Sequence, residues 1–184
     1  MRDSASADWR GNIGLSRTRR LSLVSKSLLT AGVASWSLTS LGGAMVHVPI
    51  LDLLSPLVWC AALIAFGLLF RFLPSSGGGR RAEKVASVVT FFLGAAAIVT
   101  ASIFSGSVVG DAINAAQKEA LGLHATAANT VPAAGAMILA SAIFAVGVWL
   151  RTRWPLSKTC AVGGTYALEI VGVAIIQSFL PLNA

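Results

Sequence analysis

The feature that most constrains this chain is a long apolar stretch between Leu51 and Leu73, which reads LDLLSPLVWCAALIAFGLLFRFL. Between Asp52 and Arg71 it contains no charged residue. A helix of about 20 apolar residues is long enough to cross the hydrocarbon core of a bilayer. In lipid, a single segment can satisfy its backbone hydrogen bonds only by forming a helix. The stretch therefore predicts a transmembrane helix.

Other apolar segments predict that this helix is one of several. The chain has 184 residues, of which 55% are hydrophobic and 11% charged, whereas soluble domains carry about 25% charged residues. Four strongly apolar segments predict spans at 51–73, 85–109, 131–150 and 160–180. An uncharged segment rich in Ser, Thr and Gly predicts a fifth, N-terminal span at 27–46. We expect an all-α, polytopic transmembrane helical bundle, with a basic N-terminal arm (1–26) and a transmembrane helical domain (27–184).

The basic residues predict how the spans are oriented. Except for Lys118, the 14 Lys and Arg residues lie in the N-terminal arm or in and beside the connections that follow the spans 51–73 and 131–150. Five alternating spans bring these three groups to one face of the membrane, whereas four spans would put the arm on the other face. Because basic loops stay in the cytoplasm, we expect an inner-membrane protein of a bacterium, with a cytoplasmic N-terminus and an outer C-terminus.

The net charge of +7 is also a property of many nucleic-acid-binding proteins. Here, however, the basic residues flank apolar spans, and they are not interleaved with aromatic residues as in proteins that bind single strands. We therefore expect the lipid bilayer and other membrane subunits, or further copies of this chain, as partners. We expect no nucleic acid.

The segment that follows the span 85–109 reads DAINAAQKEALG. Asp is a favourable residue at the start of a helix, and Gly is favourable just beyond its end. Asp111 and Gly122 therefore predict a separate short helix that lies at the membrane surface.

Small residues recur at helical spacing within the spans. Three rows are visible, formed by Ser102, Gly106 and Gly110, by Ala97 and Ala101, and by Ala136 and Ala140. In lipid, such rows allow two helix backbones to approach closely. They predict either packing within this bundle or a docking face for another membrane subunit.

Two histidines and two carboxylates are expected near the outer ends of the spans: His47, Asp52, Asp111 and His124. In the first interpretation, they are ordinary polar residues at the membrane interface. In the second, the imidazoles are axial ligands of a tetrapyrrole, either a haem or a chlorophyll-type pigment. In the third, all four residues bind a transition metal.

Glu169 differs from these residues because it lies about ten residues into a predicted span, near the middle of the bilayer. A charge at that depth is costly, so the side chain should face the bundle interior, be protonated, or be paired. One interpretation is a neutral Glu that is hydrogen-bonded across helices. Another is a proton or ion relay, and a third is a ligand of a cofactor.

The stretch MVHVPILDLLSPLVW resembles the opening of an uncharacterised family of bacterial four-helix inner-membrane proteins. The first helix of that family begins with a His–apolar–Pro element followed by an Asp. Its second helix ends in Gly-Asp, as at Gly110 and Asp111, and its third opens with His and a nearby Asn, as at His124 and Asn129. The resemblance covers about residues 45–150. It implies an inner-membrane protein with His residues at the outer ends of two helices and a redox or metal role, but no known activity.

These observations predict an accessory or scaffold subunit of a larger, energy-transducing membrane complex, with no catalytic activity of its own. The first alternative is an electron-transfer or pigment-, haem- or metal-binding subunit that uses His47 and His124. The second alternative is a proton or ion pathway through Glu169.

Overall fold

The computed structural model describes residues 3–42, 49–76, 80–120 and 130–179. Side chains are described within 14–39, 53–76, 80–110 and 132–172, and at Ile50. Over this part of the chain the structure is all-helical, which confirms the predicted fold class. Its five helices are α1 (Asp3–Gly42), α2 (Pro49–Phe72), α3 (Arg81–Ala120), α4 (Thr130–Thr152) and α5 (Leu156–Phe179).

Three helices in the described part of the chain are long and apolar enough to cross a membrane, and the chain is an integral membrane protein. The three segments are Leu53–Phe72, Arg81–Gly110 and Pro132–Thr152. Three of the four predicted strongly apolar spans are confirmed, and the fourth, 160–180, is not among these three segments. Side chains of its helix, α5, are described only from 156 to 172, so part of the predicted span 160–180 lies outside them.

Two helices are longer than the sequence predicts. α1 runs without a break through Lys26, so helix already covers most of the basic arm. α3 continues through Asp111 to Ala120, and the predicted separate helix after Asp111 does not form. The residues after Asp111 include three Ala, Gln, Lys and Glu before Ala120. Such residues favour helix, so extending α3 is easier than ending one helix and nucleating another.

The helices α3 and α4 approach each other closely through two glycines. A Cβ added at Gly94 would lie 2.4 Å from the Cα of Phe144, and one added at Gly147 would lie 2.5 Å from the Cα of Phe91. Gly94 follows Phe91 in the chain, and Gly147 follows Phe144, so the two helices are antiparallel. Because neither glycine has a side chain, the two helix backbones can lie in contact.

An aromatic cluster joins four helices in the middle of the core. Phe66, Phe91, Phe144 and Tyr166 come from α2, α3, α4 and α5, and all four are fully buried. Their ring centroids lie 5.3 Å apart for Phe66–Phe144, 4.8 Å for Phe91–Phe144 and 5.4 Å for Phe66–Tyr166. Aromatic pairs in such contact contribute about 0.5–1.5 kcal/mol each beyond their burial.

The connections α2–α3 and α4–α5 lie together at one end of the bundle. The Ser76 amide donates to the carbonyl oxygen of Arg151 at 3.2 Å, and Arg153 pairs with Glu83 at 2.8 Å. From α1, the Arg17 guanidinium lies 5.6 Å from the centroid of the Phe72 ring. Residues 14–26, 71–76, 80–84 and 149–158 thus form what we call the basic end. The three basic groups meet there, and the side of the membrane that this end faces stays a prediction.

Candidate functional site: a polar cluster between α1 and α5

Four of the predicted site residues cannot be placed by their side chains. His47 and His124 lie outside the described residues, and Asp52 and Asp111 lie in helical segments whose side chains are outside them. Among the residues that the structure describes, no three His, Cys, Asp or Glu side chains could hold a metal ion together. The tetrapyrrole and metal hypotheses stay predictions, which an optical spectrum and a metal analysis of the purified protein would test.

Glu169 is described, and it lies in the interface between α1 and α5. The Thr30 hydroxyl on α1 is 2.7 Å from the Glu169 Oε1, and both residues are half-buried. Near Thr30, Gly32 packs against Trp59 of α2, and near Glu169, Tyr166 packs against Phe66 of α2. The Glu169 carboxyl therefore lies at the depth of residues 59–66, in the middle of the apolar segment of α2.

Lys26 is a partner of this site that the sequence analysis missed. Its Nζ donates to the Thr165 Oγ1 at 2.5 Å and lies 5.1 Å from the centroid of the Tyr166 ring. The ammonium is also near enough to Glu169 for the two charges to interact. The sequence analysis assigned Lys26 to the basic arm and named no partner for Glu169. The structure brings the two residues to one interface.

The register of the two helices explains why these residues meet. Lys26 and Thr30 are four residues apart on α1, and Thr165 and Glu169 are four apart on α5. Residues at this spacing lie on one face of a helix, one turn apart. Lys26 contacts Thr165 and Thr30 contacts Glu169, so the helices run parallel with two matching turns. The i, i+4 pattern was visible in the sequence, but it does not reveal which two helices are neighbours.

The hydroxyl groups around Tyr166 form a chain with a defined direction. Ser25 Oγ donates to the Ser22 carbonyl at 2.9 Å, so it accepts the hydrogen bond from the Tyr166 hydroxyl at 2.7 Å. The Ser22 hydroxyl, 3.4 Å from the Tyr166 oxygen, is placed to donate to it. The buried phenol is thereby satisfied, and it fixes α1 to the aromatic cluster.

Thr30 can serve Glu169 in either protonation state. Its Oγ1 is 3.0 Å from the Lys26 carbonyl oxygen and 2.7 Å from the Glu169 Oε1, and it has one proton to donate. When Glu169 is ionised, Thr30 donates to the carboxylate. When Glu169 is protonated, the acid donates to Thr30, whose own proton turns to the Lys26 carbonyl. The hydrogen bond between Thr30 and Glu169 is therefore possible in both protonation states with the heavy atoms in the same positions.

A second feature is a surface groove between α3 and α4. Two of the predicted small-residue rows line it together: Ala97 and Ala101 from α3, and Ala136 and Ala140 from α4. The groove has a volume of about 490 Å³, and Thr100 contributes its one hydroxyl. The remaining row is used inside the bundle, since Gly106 packs against Trp36 and its carbonyl accepts a hydrogen bond from Ser37 at 3.2 Å.

Comparison of the chain with protein-family models, with curated protein sequences and with solved structures gives no match. The resemblance to the four-helix family, which the residues 45–150 carry, therefore stays a prediction.

Proposed function

We propose that this chain is a non-catalytic accessory or scaffold subunit of a membrane complex, and that it binds a transmembrane helix of a partner subunit in the α3–α4 groove. The observation that carries the proposal is the meeting of two alanine rows in one open, apolar groove on the bundle surface. Small side chains let a second backbone approach closely, which is how helices associate in lipid.

The chain itself provides an example of this kind of docking. On α3, the row that includes Gly106 is covered by α1, whose Trp36 lies against the glycine. The Ala97 row is on the same helix, and it is covered only in part: Ala101 is buried, whereas Ala97 is half-buried. Bulky residues stand along its groove, and Leu93 and Leu139 are 58% and 63% exposed. Because the groove lies within the apolar segments of α3 and α4, a partner segment that binds in it would be an apolar helix.

The orientation of the bundle is part of the proposal. We infer that α1 and α5 also cross the membrane, so that five spans place the N-terminus in the cytoplasm and the C-terminus outside, in a bacterial inner membrane. The gathering of Arg17, Arg151 and Arg153 at the basic end supports this arrangement. A partner in an energy-transducing complex would then meet the groove within the membrane.

The test compares two substitutions on the same helix. Ala136→Leu fills the groove, whereas Ala142→Leu adds the same volume at an exposed position that does not line it. The complex is extracted from native membranes in mild detergent, and its mass is measured on native gels and by native mass spectrometry. We expect Ala136→Leu to release a folded free chain and Ala142→Leu to leave the complex intact.

Three outcomes would change the proposal. An intact complex with Ala136→Leu, or dissociation with both variants, contradicts docking in the groove. A complex whose mass is a multiple of this chain alone identifies a second copy as the occupant, and it replaces the scaffold function by homo-oligomerisation.

A second candidate function is a proton or ion pathway through Glu169. It is favoured by Thr30, which can hydrogen-bond the carboxyl in both protonation states. The test is proton flux into liposomes that contain the purified protein and a pH-sensitive dye. Glu169→Gln should abolish the flux while the protein stays folded, and unchanged flux in that variant excludes the pathway.

A further inference from the structure

A second groove opens at the basic end, where α1, α2 and α5 meet. Its volume is about 410 Å³. Three basic side chains line it: Arg19 and Lys26 from α1, and Lys158 from α5. Among the described residues, no carboxylate lines this groove. An excess of positive charge in a partly enclosed groove favours the binding of an anion.

The position of Lys158 increases this positive potential. Lys158 lies in the first turn of α5, where the helix dipole is already positive, and that turn carries no acidic residue. Its Nζ lies 4.0 Å from the centroid of the Trp154 ring, which also lines the groove. The charge of Lys158 and the positive end of the helix dipole have the same sign, so both would stabilise a bound anion.

The walls of the groove identify the class of anion. Leu69 of α2, Leu73 just after that helix and Val162 of α5 form an apolar wall. Leu23 of α1 is largely exposed beside it. Trp154 is of the residue type that is enriched at the level of lipid headgroups. Basic side chains beside an apolar wall match an anionic amphiphile, which has a charged headgroup and an acyl chain. A free phosphate would contact the basic side chains alone.

We infer that this groove binds an anionic phospholipid, with its phosphate between Arg19 and Lys158 and an acyl chain along the apolar wall. Basic pockets between membrane helices bind such headgroups. The site is separate from the α3–α4 groove, and it does not depend on the docking of a partner there.

The test is native mass spectrometry of the purified full chain, loaded with phosphatidylglycerol or with phosphatidylcholine. The double variant Arg19→Gln/Lys158→Gln removes two charges from the groove. The matched control Arg80→Gln/Arg81→Gln removes two exposed charges from the same end of the bundle but outside the groove. A basic residue near an anionic lipid strengthens binding about fivefold. The affinity of the double variant for phosphatidylglycerol should therefore be about 25-fold lower than that of the unmodified chain. The affinity of the control variant for phosphatidylglycerol should differ from that of the unmodified chain by less than about threefold.

Several results would overturn the inference. One is an equal loss of affinity for phosphatidylglycerol in the double variant and in the control. Another is equal retention of phosphatidylglycerol and phosphatidylcholine by the unmodified chain. Displacement of the bound lipid by millimolar inorganic phosphate would show that the basic side chains of the groove bind free phosphate. That result would overturn the assignment to a lipid. The single variant Arg19→Gln, at an exposed position, should bind phosphatidylglycerol about fivefold more weakly than the unmodified chain. This variant tests the inference if the double variant does not fold.

Discussion

An alanine at Gly94 tests whether the close α3–α4 contact stabilises the bundle. The new Cβ would lie 2.4 Å from the backbone of Phe144, whereas ordinary contacts begin at 3.4 Å. The two helices would therefore have to separate by about 1 Å, and a gap of that size removes a quarter to a half of the dispersion energy across it. Overpacking of this kind costs about 1–3 kcal/mol, and we expect that loss in the free energy of unfolding.

Gly135→Ala is the matched control for this substitution. A Cβ at Gly135 would meet nothing within 4 Å. Ala loses less backbone entropy than Gly in a helix, so this variant should be more stable than the unmodified chain by about 0.5–1 kcal/mol. Unfolding by SDS titrated into dodecyl maltoside micelles, followed by circular dichroism, measures both changes. If Gly94→Ala is no less stable than Gly135→Ala, the reasoning is refuted.

The combination with Gly147→Ala makes the test more stringent. A Cβ at Gly147 would lie 2.5 Å from the Phe91 backbone, so that variant should lose about as much stability as Gly94→Ala. One separation of α3 from α4 relieves both overlaps. The double variant should therefore lose less than the two single losses added together. If the losses in the free energy of unfolding are additive, the two overlaps are relieved by separate movements and the reasoning about one common separation is wrong.

The polar contacts give three further predictions, which the same unfolding titration measures. Thr30→Val removes the hydroxyl beside Glu169 and leaves a polar atom without its partner, so it should cost about 1–3 kcal/mol. Tyr166→Phe keeps the aromatic cluster and removes one hydrogen bond to Ser25, so it should cost about 0.5–1.5 kcal/mol. Glu83→Gln breaks an ion pair whose side chains are 43% and 36% exposed, and it should cost less than about 1 kcal/mol. A larger loss with Glu83→Gln than with Thr30→Val would contradict the ranking.

The sequence was sufficient to predict the apolar helices but not all of their ends. The segments 51–73, 85–109 and 131–150 correspond to α2, α3 and α4, because a long uncharged run has no alternative to helix in lipid. The end of α3 was wrong because Asp111 was interpreted as a helix start. A capping residue stabilises a helix by about 1 kcal/mol, and the helix-forming residues that follow outweigh it.

The candidate site was predicted in part. Hydropathy alone identified Glu169, since a carboxyl is exceptional at the middle of a span. Lys26 was missed because the end of the arm and the start of the span meet at this residue, where a basic side chain is expected. The same limit applied to the alanine rows. Their spacing was visible, but only the lateral packing of α3 beside α4 shows that they share one groove.

The attachment of α1 explains why the polar cluster and the two grooves occur in one bundle. α1 is not among the three strongly apolar helices, so general hydropathy does little to fix its place. Its contacts are specific instead: Gly32 against Trp59, Trp36 against Gly106, and Thr30 with Glu169. The Trp36 contact covers one face of α3, and the groove lined by Ala97 lies elsewhere on the same helix. Because α1 reaches α5 through Lys26, it also forms one wall of the basic groove. The least apolar helix thus completes the lipid site that we infer, and the helix it packs on carries the open docking groove.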